Sequence, residues 1–253
     1  MKLNRRMPPW LHDDQLFIEE CVAKVPGWLV DYTAARTIDL LRWQEEQKSG
    51  GSLLEIGIFA GRYFSILARS AIRTRSRIVG LDTFQFVSEQ AVREHHLRHI
   101  FELEPDIVLL AQPSSAVTAH TLLGVLQQPA RFISIDGSHE APDVHWDLRL
   151  AEELLAPDGI VAVDDFLNPL TMGVGEAVHR FFAKPRGLAP FGYVANKLFL
   201  SRPHRAATLG AVLEQAIVND GTHPRSVQFA ADRAEDPART RARLWGHDFL
   251  NAY

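Results

Sequence analysis

The hydrophobic pattern predicts strands and helices that alternate between residues 52 and 166. Apolar runs of four or five residues, each followed by a polar or glycine-containing turn, are typical of buried strands, and stretches with a 3.6-residue period predict the helices between them. Five strands are predicted here, at Ser52–Ile56, Arg77–Leu81, Ile107–Ala111, Phe132–Ile135 and Ile160–Val163. Because strand, helix and strand follow one another at this spacing, the strands should be parallel neighbours in one sheet.

The same pattern predicts the helices and the end of the chain. Helices are expected at Asp13–Val25, Tyr32–Glu46, 62–72, Ser88–Leu103, Ser114 or Ser115 to Leu126, Asp143–Leu155, Val174–Phe182 and Ala206–Val218. Pro157-Asp158-Gly159 should stop the helix before strand five and turn the chain. Phe191–Ala195 and Lys197–Leu200 are predicted to close the sheet as an antiparallel hairpin, which brings it to seven strands. Residues 219–243 are predicted to be irregular, and residues 244–253 are expected to add a further strand.

The composition of the chain excludes several classes of function but adds little about the fold. The formal net charge of −4 gives no support for nucleic-acid binding, and the single cysteine, Cys21, excludes an internal disulfide. No apolar run approaches the length of a membrane span, and polar residues follow the basic start of the chain where a signal core would lie. We therefore expect a soluble cytoplasmic protein without nucleic-acid or membrane partners. We expect an N-terminal helical cap at 1–50, a ligand-binding core at 51–201 and an extension of the same domain at 202–253.

Carboxylates follow two neighbouring strands of the predicted sheet. Asp136 ends strand four, and Asp164 and Asp165 end strand five. Since adjacent strands lie about 4.8 Å apart, the three side chains should converge beyond the carboxyl edge of the sheet. Clustered carboxylates repel one another unless they are protonated or share a cation, and Mg²⁺ prefers such oxygen ligands. The alternative is that Asp136 caps a helix and the Asp164-Asp165 pair forms a solvated turn.

A glycine loop and an acid follow the first two strands. Gly57 and Gly61 separate strand one from a helix, so the backbone can approach a ligand closely, but the middle glycine of a pyrophosphate loop is missing. Glu55 disfavours phosphate and suits a cationic or amino-acid ligand. Asp82, which ends strand two, can accept hydrogen bonds from both hydroxyls of a ribose. The alternatives are a plain strand-to-helix turn and a helix-capping aspartate.

Together these motifs resemble the class I S-adenosylmethionine-dependent methyltransferases. They are similar in particular to the metal-dependent O-methyltransferases of the macrocin, mycinamicin and novobiocin type. The matching segments are Glu55-x-Gly57-x-x-x-Gly61-Arg62, Asp82, Ile135-Asp136-Gly137-Ser138-His139, Asp164-Asp165 and residues 172–178. The sequence departs from the family at three places: Tyr63-Phe64 replace Ser-Thr, Gln112-Pro113-Ser114 replace Gly-Asp-Ser, and Met172 replaces a proline.

The resemblance implies a Rossmann-like, doubly wound α/β fold and transfer of a methyl group from S-adenosylmethionine to a hydroxyl of a small natural product or sugar. It implies a cofactor site formed by Glu55, Gly57, Gly61, Asp82, Gln112, Ser114 and Asp136. It also implies Mg²⁺ or another divalent cation on Asp136, Asp164 and Asp165, with His139 as the general base. Two alternatives stay open, an NAD-dependent oxidoreductase and a non-catalytic binding module. The oligomeric state is open too, with a homo-oligomer among the alternatives.

Two groups of side chains have a structural and a functional interpretation. Trp10, Trp28, Tyr32 and Phe166 could line an acceptor pocket, but packing in the core is the commoner role of such aromatic residues. His95, His96 and His99 could bind a metal only if they faced one point, and a solvated helix face is the simpler interpretation.

Overall fold

The computed structural model describes residues 7–253. The first residues of the predicted N-terminal cap, 1–6, lie outside this range. Within it the strands are β1 Ser52–Ile56, β2 Ile78–Asp82, β3 Ile107–Ala111, β4 Ala130–Ile135, β5 Leu155–Val163, β6 Ala189–Val194, β7 Lys197–Ser201, β8 Arg241–Leu244 and β9 His247–Ala252. The helices are α1 Asp14–Glu20, α2 Asp31–Glu46, α3 Arg62–Thr74, α4 Glu89–Ala91, α5 Arg98–Phe101, α6 Ala119–Leu126, α7 Ala141–Leu154, α8 Met172–Phe181, α9 Pro203–Asn219 and α10 Pro224–Glu235.

All nine described strands form one sheet in the order β3-β2-β1-β4-β5-β7-β6-β9-β8. The first five are parallel, whereas β7 is antiparallel to both β5 and β6. Helices pack on both faces, and each face has its own buried apolar cluster. The predicted α/β, doubly wound fold and its closing antiparallel hairpin are confirmed, but the sheet has nine strands rather than seven.

The two additional strands come from the C-terminal extension. β9 pairs in parallel with β6, and β8 pairs with β9 as an antiparallel hairpin. The prediction that residues 219–243 are irregular is wrong, because α10 and β8 lie within them. Each presents only a narrow apolar face: α10 buries little besides Phe229, and β8 alternates exposed arginines with half-buried Ala242 and Leu244.

Two local expectations before β5 need correction. The helix expected to start at Ser114 or Ser115 starts at Ala119, where the Thr118 side chain accepts a hydrogen bond from the Thr121 N–H; residues 114–116 form a separate 3-10 turn. Pro157-Asp158-Gly159 does not precede strand five but forms a bulge inside it. Leu155 already pairs with Ala130, and pairing resumes at Ile160 with Phe132, so the strand continues through the proline because the bulge needs no ladder hydrogen bond there.

The helix predicted at Ser88–Leu103 is split into three pieces. A single π-helical turn, Val92–His96, separates α4 from α5. Leu97 follows this turn and is buried against Gly61, so the irregular backbone fixes the side chain that covers the glycine loop. Such π turns are often found next to functional sites.

The C-terminal hairpin also reaches the carboxyl edge of the parallel strands. Trp245, in the turn between β8 and β9, stacks on Phe182 with ring centroids 4.5 Å apart and contacts Phe166, the residue after Asp165. Its indole N–H donates to His179 Nδ1 at 3.1 Å. None of the helices in residues 7–253 is long and apolar enough to cross a membrane.

Candidate active site

The register of the parallel strands brings the predicted site residues to one edge. Ile56 pairs with Leu81 on one side and with Ile135 on the other, and Ile135 pairs with Val163. The residues that follow these positions are Gly57, Asp82, Asp136 and Asp164, so they lie side by side beyond the carboxyl ends of four adjacent strands. This is where open parallel sheets bind their ligands.

The glycine loop accepts no side chain at either glycine. Gly57 has φ of 84°, and a Cβ there would overlap the carbonyl group of Asp136. Gly61 has φ of 95°, and a Cβ would lie 2.6 Å from the Cδ1 atom of Leu97. Both conformations are ones that residues with side chains rarely adopt. The loop is therefore packed tightly against the β4–α7 turn, with its backbone facing the edge of the sheet.

Asp82 holds the glycine loop in place. Its Oδ2 atom accepts hydrogen bonds from the backbone N–H groups of Ile58 at 2.7 Å and Phe59 at 2.9 Å, and its Oδ1 accepts one from Phe84 at 2.6 Å. A carboxylate has about four lone-pair sites, so Oδ1 keeps the capacity to accept another donor such as a ribose hydroxyl. The predicted contact with ribose stays a prediction.

Glu55 lies deeper, inside the sheet. Its exposed fraction is 1%, and its Oε2 atom has no hydrogen-bond partner among the described residues. Burial raises the pKa of this carboxyl well above its usual value, the positive charge of Lys197 opposes that shift, and the charges of Asp164 and Asp82 add to it. A buried acid without a hydrogen-bond donor beside it is suited to a cationic ligand group.

Three metal-binding side chains meet at the outer rim of this edge: Asp136, His139 and Asp165, called here the outer group. One possible ligand atom from each lies within 4.8 Å of the others. His139 Nε2 is 3.4 Å from Asp165 Oδ2, and Asn168 Nδ2 donates to Asp165 Oδ1 at 2.9 Å. The two carboxylates are oxygen ligands of the kind that Mg²⁺ prefers, and the imidazole beside them can bind a metal or accept a proton.

Asp164 is buried, and its side chain forms a hydrogen bond with Asp136 as well as contacts in the interior. Its Oδ2 atom is 2.8 Å from Lys197 Nζ, and its Oδ1 accepts hydrogen bonds from Asn196 Nδ2 and from the backbone N–H of Asp165. The predicted ligand set of Asp136, Asp164 and Asp165 stays a prediction, and the three carboxylates belong to one cluster. We call Glu55, Asp164 and Lys197 the inner group.

Lys197 is a buried residue beside the acid cluster that the sequence did not reveal. Its side chain is fully buried, and its Nζ lies 4.3 Å from the centre of the Tyr63 ring. Burial alone would lower the pKa of Lys197, but the charges of Asp164 and Asp136 raise it above its usual value. The antiparallel ladder between β5 and β7 explains the position of Lys197, since Leu198 pairs with Val163. That pairing places the preceding lysine beside the following aspartate.

The remaining candidates are divided between the site and the core. Gln112 and Ser114 are half-buried after β3. The Gln112 N–H donates to the backbone carbonyl of Asp82, and the Ser114 carbonyl accepts from the Trp146 indole.

Trp28 is 89% exposed and contacts Phe59 of the glycine loop. The other three aromatic candidates are buried: Trp10, Tyr32 and Phe166. Of the histidines on 95–99, His95 is exposed and His99 packs on Trp10.

Comparison with known proteins supports a methyltransferase domain and its fold. Residues 54–166 match a family described as a methyltransferase domain. Similar solved structures include CalS11, a TDP-rhamnose 3'-O-methyltransferase of calicheamicin biosynthesis, at 21% identity and a TM-score of 0.52 over 67% of this chain and 78% of that one. The O-methyltransferase NovP matches at 16% identity and 0.54 over 66% and 78%, and cofactor-bound Rv0187 from MTB at 18% and 0.54 over 71% and 84%. No curated protein matches the sequence.

Proposed function

We propose that this chain, whose residues 54–166 match a methyltransferase domain, is a class I S-adenosylmethionine-dependent enzyme that methylates a hydroxyl group with the help of a divalent cation. The methyl donor is S-adenosylmethionine, and the acceptor is a small hydroxylated natural product or a sugar. The observation that carries this proposal is the outer group. Asp136, His139 and Asp165 bring one ligand atom each to within 4.8 Å, next to the glycine loop.

The methyl donor would lie across the glycine loop. Gly57 and Gly61 let the loop pack closely against its neighbours, so that its backbone would contact the methionine part. The buried carboxyl of Glu55 suits the ammonium or sulfonium charge of the donor. Asp82 Oδ1, which can accept a further hydrogen bond, would accept one from a ribose hydroxyl. Gln112, Ser114 and the backbone of Asp136 border the position expected for the adenine and the thioether.

Asp136 and Asp165 would hold the cation, and His139 would stay off the metal and receive the proton. When bound, a divalent cation such as Mg²⁺ polarises a hydroxyl and fixes its direction of attack. The acceptor oxygen forms a bond to the methyl carbon, the carbon–sulfur bond breaks, and its electron pair stays on sulfur. The hydroxyl proton passes to Nε2 of His139, and Asp165 stabilises the resulting positive charge.

The class of acceptor is inferred from the exposed site and from one relative. The side chain of His139 is 47% exposed, so an acceptor can reach it from solvent. CalS11 is described as a TDP-rhamnose 3'-O-methyltransferase, and by analogy we include a sugar hydroxyl in the proposal. Trp28 and the exposed side chains after Asp165, among them Leu170 and Met172, offer apolar surface to a larger acceptor.

Two measurements test the proposal. Calorimetry should give a Kd for S-adenosylhomocysteine in the micromolar range, about −8 kcal/mol, with NAD as the control ligand. Mass spectrometry should then detect a methylated product when hydroxylated sugars and natural products are offered with S-adenosylmethionine and Mg²⁺. Binding of NAD in place of S-adenosylhomocysteine would indicate an oxidoreductase, and cofactor binding without transfer to any acceptor would favour a binding module.

A further inference from the structure

The segment that follows β3 is held from outside by helix α7. Ser114 belongs to this segment, residues 112–116, which borders the position expected for the adenine. The Trp146 indole donates to the backbone carbonyl of Ser114 at 3.0 Å. The next residue of α7, Asp147, contacts the Ser114 side chain with its carboxyl group. Two consecutive residues of one helix therefore bind both the backbone and the side chain of Ser114.

This segment has few stabilising contacts of its own. It reads Gln112-Pro113-Ser114 where the resembling family has Gly-Asp-Ser. The Gln112 N–H donates to the backbone carbonyl of Asp82 at 2.9 Å, but Pro113 has no N–H to donate. Residues 114–116 form only a short 3-10 turn, and no side chain caps its start. The contacts with α7 supply the support that the segment lacks locally.

The carboxyl group of Asp147 is enclosed between this segment and the turn after β4. Its exposed fraction is 0%, and neither oxygen makes a well-aligned hydrogen bond within residues 7–253. Asp147 Oδ2 lies 3.7 Å from the position that a Cβ of Gly137 would occupy. Burial raises the pKa of Asp147 from 3.8 to about 7, although the contact with Ser114 opposes this shift. A neutral carboxylic acid is far less costly to bury in such a place than a carboxylate.

Few charged groups face Asp147. On α7 itself, the negative charge of Asp143 raises the pKa of Asp147 further. Residues 112–118 have no charged side chain, and α8 packs on the other side of α7, where Phe181 contacts His145. The titratable groups on α6 and on the turn after β4 are His120, Asp136, His139 and Glu140. Neither segment that contacts Asp147 thus provides a lysine or arginine to pair with it.

We propose that Trp146 and Asp147 are positioning residues for the cofactor: they fix residues 112–116 beside the adenosine of S-adenosylmethionine, and Asp147 does so as a neutral acid. This inference rests on the proposed function, since it concerns the same cofactor site. Asp147 has no exposed surface and acts through Ser114. Its ionisation would place an unpaired charge behind Ser114, and the segment would have to move to bring that charge into water.

The first experiment measures the Kd of S-adenosylhomocysteine by calorimetry at pH 6 and pH 8. At pH 8, one unit above a pKa of about 7, about one free protein molecule in ten keeps the proton on Asp147. The affinity of the wild-type protein should therefore fall about 10-fold between the two pH values. Asp147→Asn, which stays neutral, should keep the higher affinity at both.

The control for this experiment is Asp158→Asn, which changes an acid paired with Arg205 and should follow the wild-type protein at both pH values. An equal fall in the wild-type protein and in Asp147→Asn would assign the pH dependence to another group and overturn the role of Asp147. A wild-type affinity that does not change with pH would overturn it as well.

The second experiment tests Trp146, which holds the backbone of the same segment. Trp146→Phe keeps an aromatic ring but removes the indole N–H, so the affinity for S-adenosylhomocysteine at pH 6 should fall about 2–10-fold, the effect of one hydrogen bond. The affinity for Mn²⁺, used in place of Mg²⁺, should stay at the wild-type value. Trp43→Phe, which changes a tryptophan of α2 beside Arg205, is the control and should leave both affinities unchanged.

The two experiments separate failure of this inference from failure of the proposed function. A wild-type protein that bound no S-adenosylhomocysteine at either pH would reject both. Binding that changed neither with pH nor in Trp146→Phe would reject the positioning role alone, and a fall in Tm of the variants without a change in Kd would limit both residues to stabilising the fold.

Discussion

The inner and outer groups of the acid cluster lie within one site but balance their charges in opposite ways. The inner group is almost inaccessible to water and contains its own cation, Lys197. The outer group has two carboxylates and a half-exposed imidazole. The difference teaches that burial decides which carboxylates a protein must neutralise internally. Only those at the water-accessible rim can leave that task to a metal ion.

The largest effect is expected from removing the cation that we propose for the outer group. Treatment with EDTA, or Asp136→Asn, should lower turnover roughly 10³-fold or more, because a bound divalent cation contributes several kcal/mol to such a reaction. Initial rates measured before and after re-addition of Mg²⁺ would check this. Binding of S-adenosylhomocysteine should persist in the EDTA-treated protein. Full activity in EDTA would mean that Lys197 alone compensates the cluster.

A smaller effect is expected from His139→Gln. A general base contributes about 10²–10⁴-fold in rate, and we expect the lower end, about 10²-fold, because water can reach the half-exposed imidazole position. Affinity for S-adenosylhomocysteine should stay at the wild-type value. If Mn²⁺ affinity fell in proportion to the rate, His139 would act as a ligand and not as the base.

Asp82 offers a third way of balancing a carboxylate, by backbone N–H groups instead of a cation. Asp82→Ala removes the acceptor for three amides of the loop and its neighbour. Hydrogen bonds to charged groups contribute about 1.5–3 kcal/mol, so affinity for S-adenosylhomocysteine should fall about 10–100-fold. Calorimetry would measure this, with Mn²⁺ affinity as the internal control. An unchanged cofactor affinity would restrict Asp82 to a structural role.

The smallest effect concerns Asp147, an acid buried on α7 outside both groups. Burial raises its pKa from 3.8 to about 7, so the folded state favours the protonated form. Its contribution to stability is complete below pH 4 and is lost as the pH rises towards 7. Asp147→Asn should therefore increase the free energy of unfolding at pH 8 by about 1–2 kcal/mol and have little effect at pH 4. Urea titrations at both values would test the sign.

The residues at the carboxyl edge of the sheet could be predicted from the sequence, because a residue with distinctive chemistry follows each apolar run. Asp82, Asp136 and Asp164 follow strands that alternate with helices, and parallel pairing brings such residues together wherever the order of strands is regular. The fold class follows from the same alternation.

Lys197 could not be found in that way, because its role depends on a pairing between chain segments that are not adjacent. A lysine at the start of a strand is typical of an exposed turn, and only the antiparallel ladder between β5 and β7 buries this one beside Asp164. For the same reason the burial of Asp164 was not predictable. The spacing of two consecutive aspartates does not show that one is buried and the other half-buried.

The hairpin of β8 and β9 has a consequence for how the protein behaves among other copies of itself. A chain that ended at Thr240 would leave β6 with an open row of backbone donors and acceptors, which is a template for association with another chain. With the hairpin in place, the outermost strand is only four residues long and carries Arg241 and Arg243 on its exposed positions. A short edge with charged side chains, here Arg241 and Arg243 with their acidic partners Glu214 and Asp248, discourages further strands from joining. The segment that braces the turn after Asp165 through Trp245 thus also protects the sheet against aggregation.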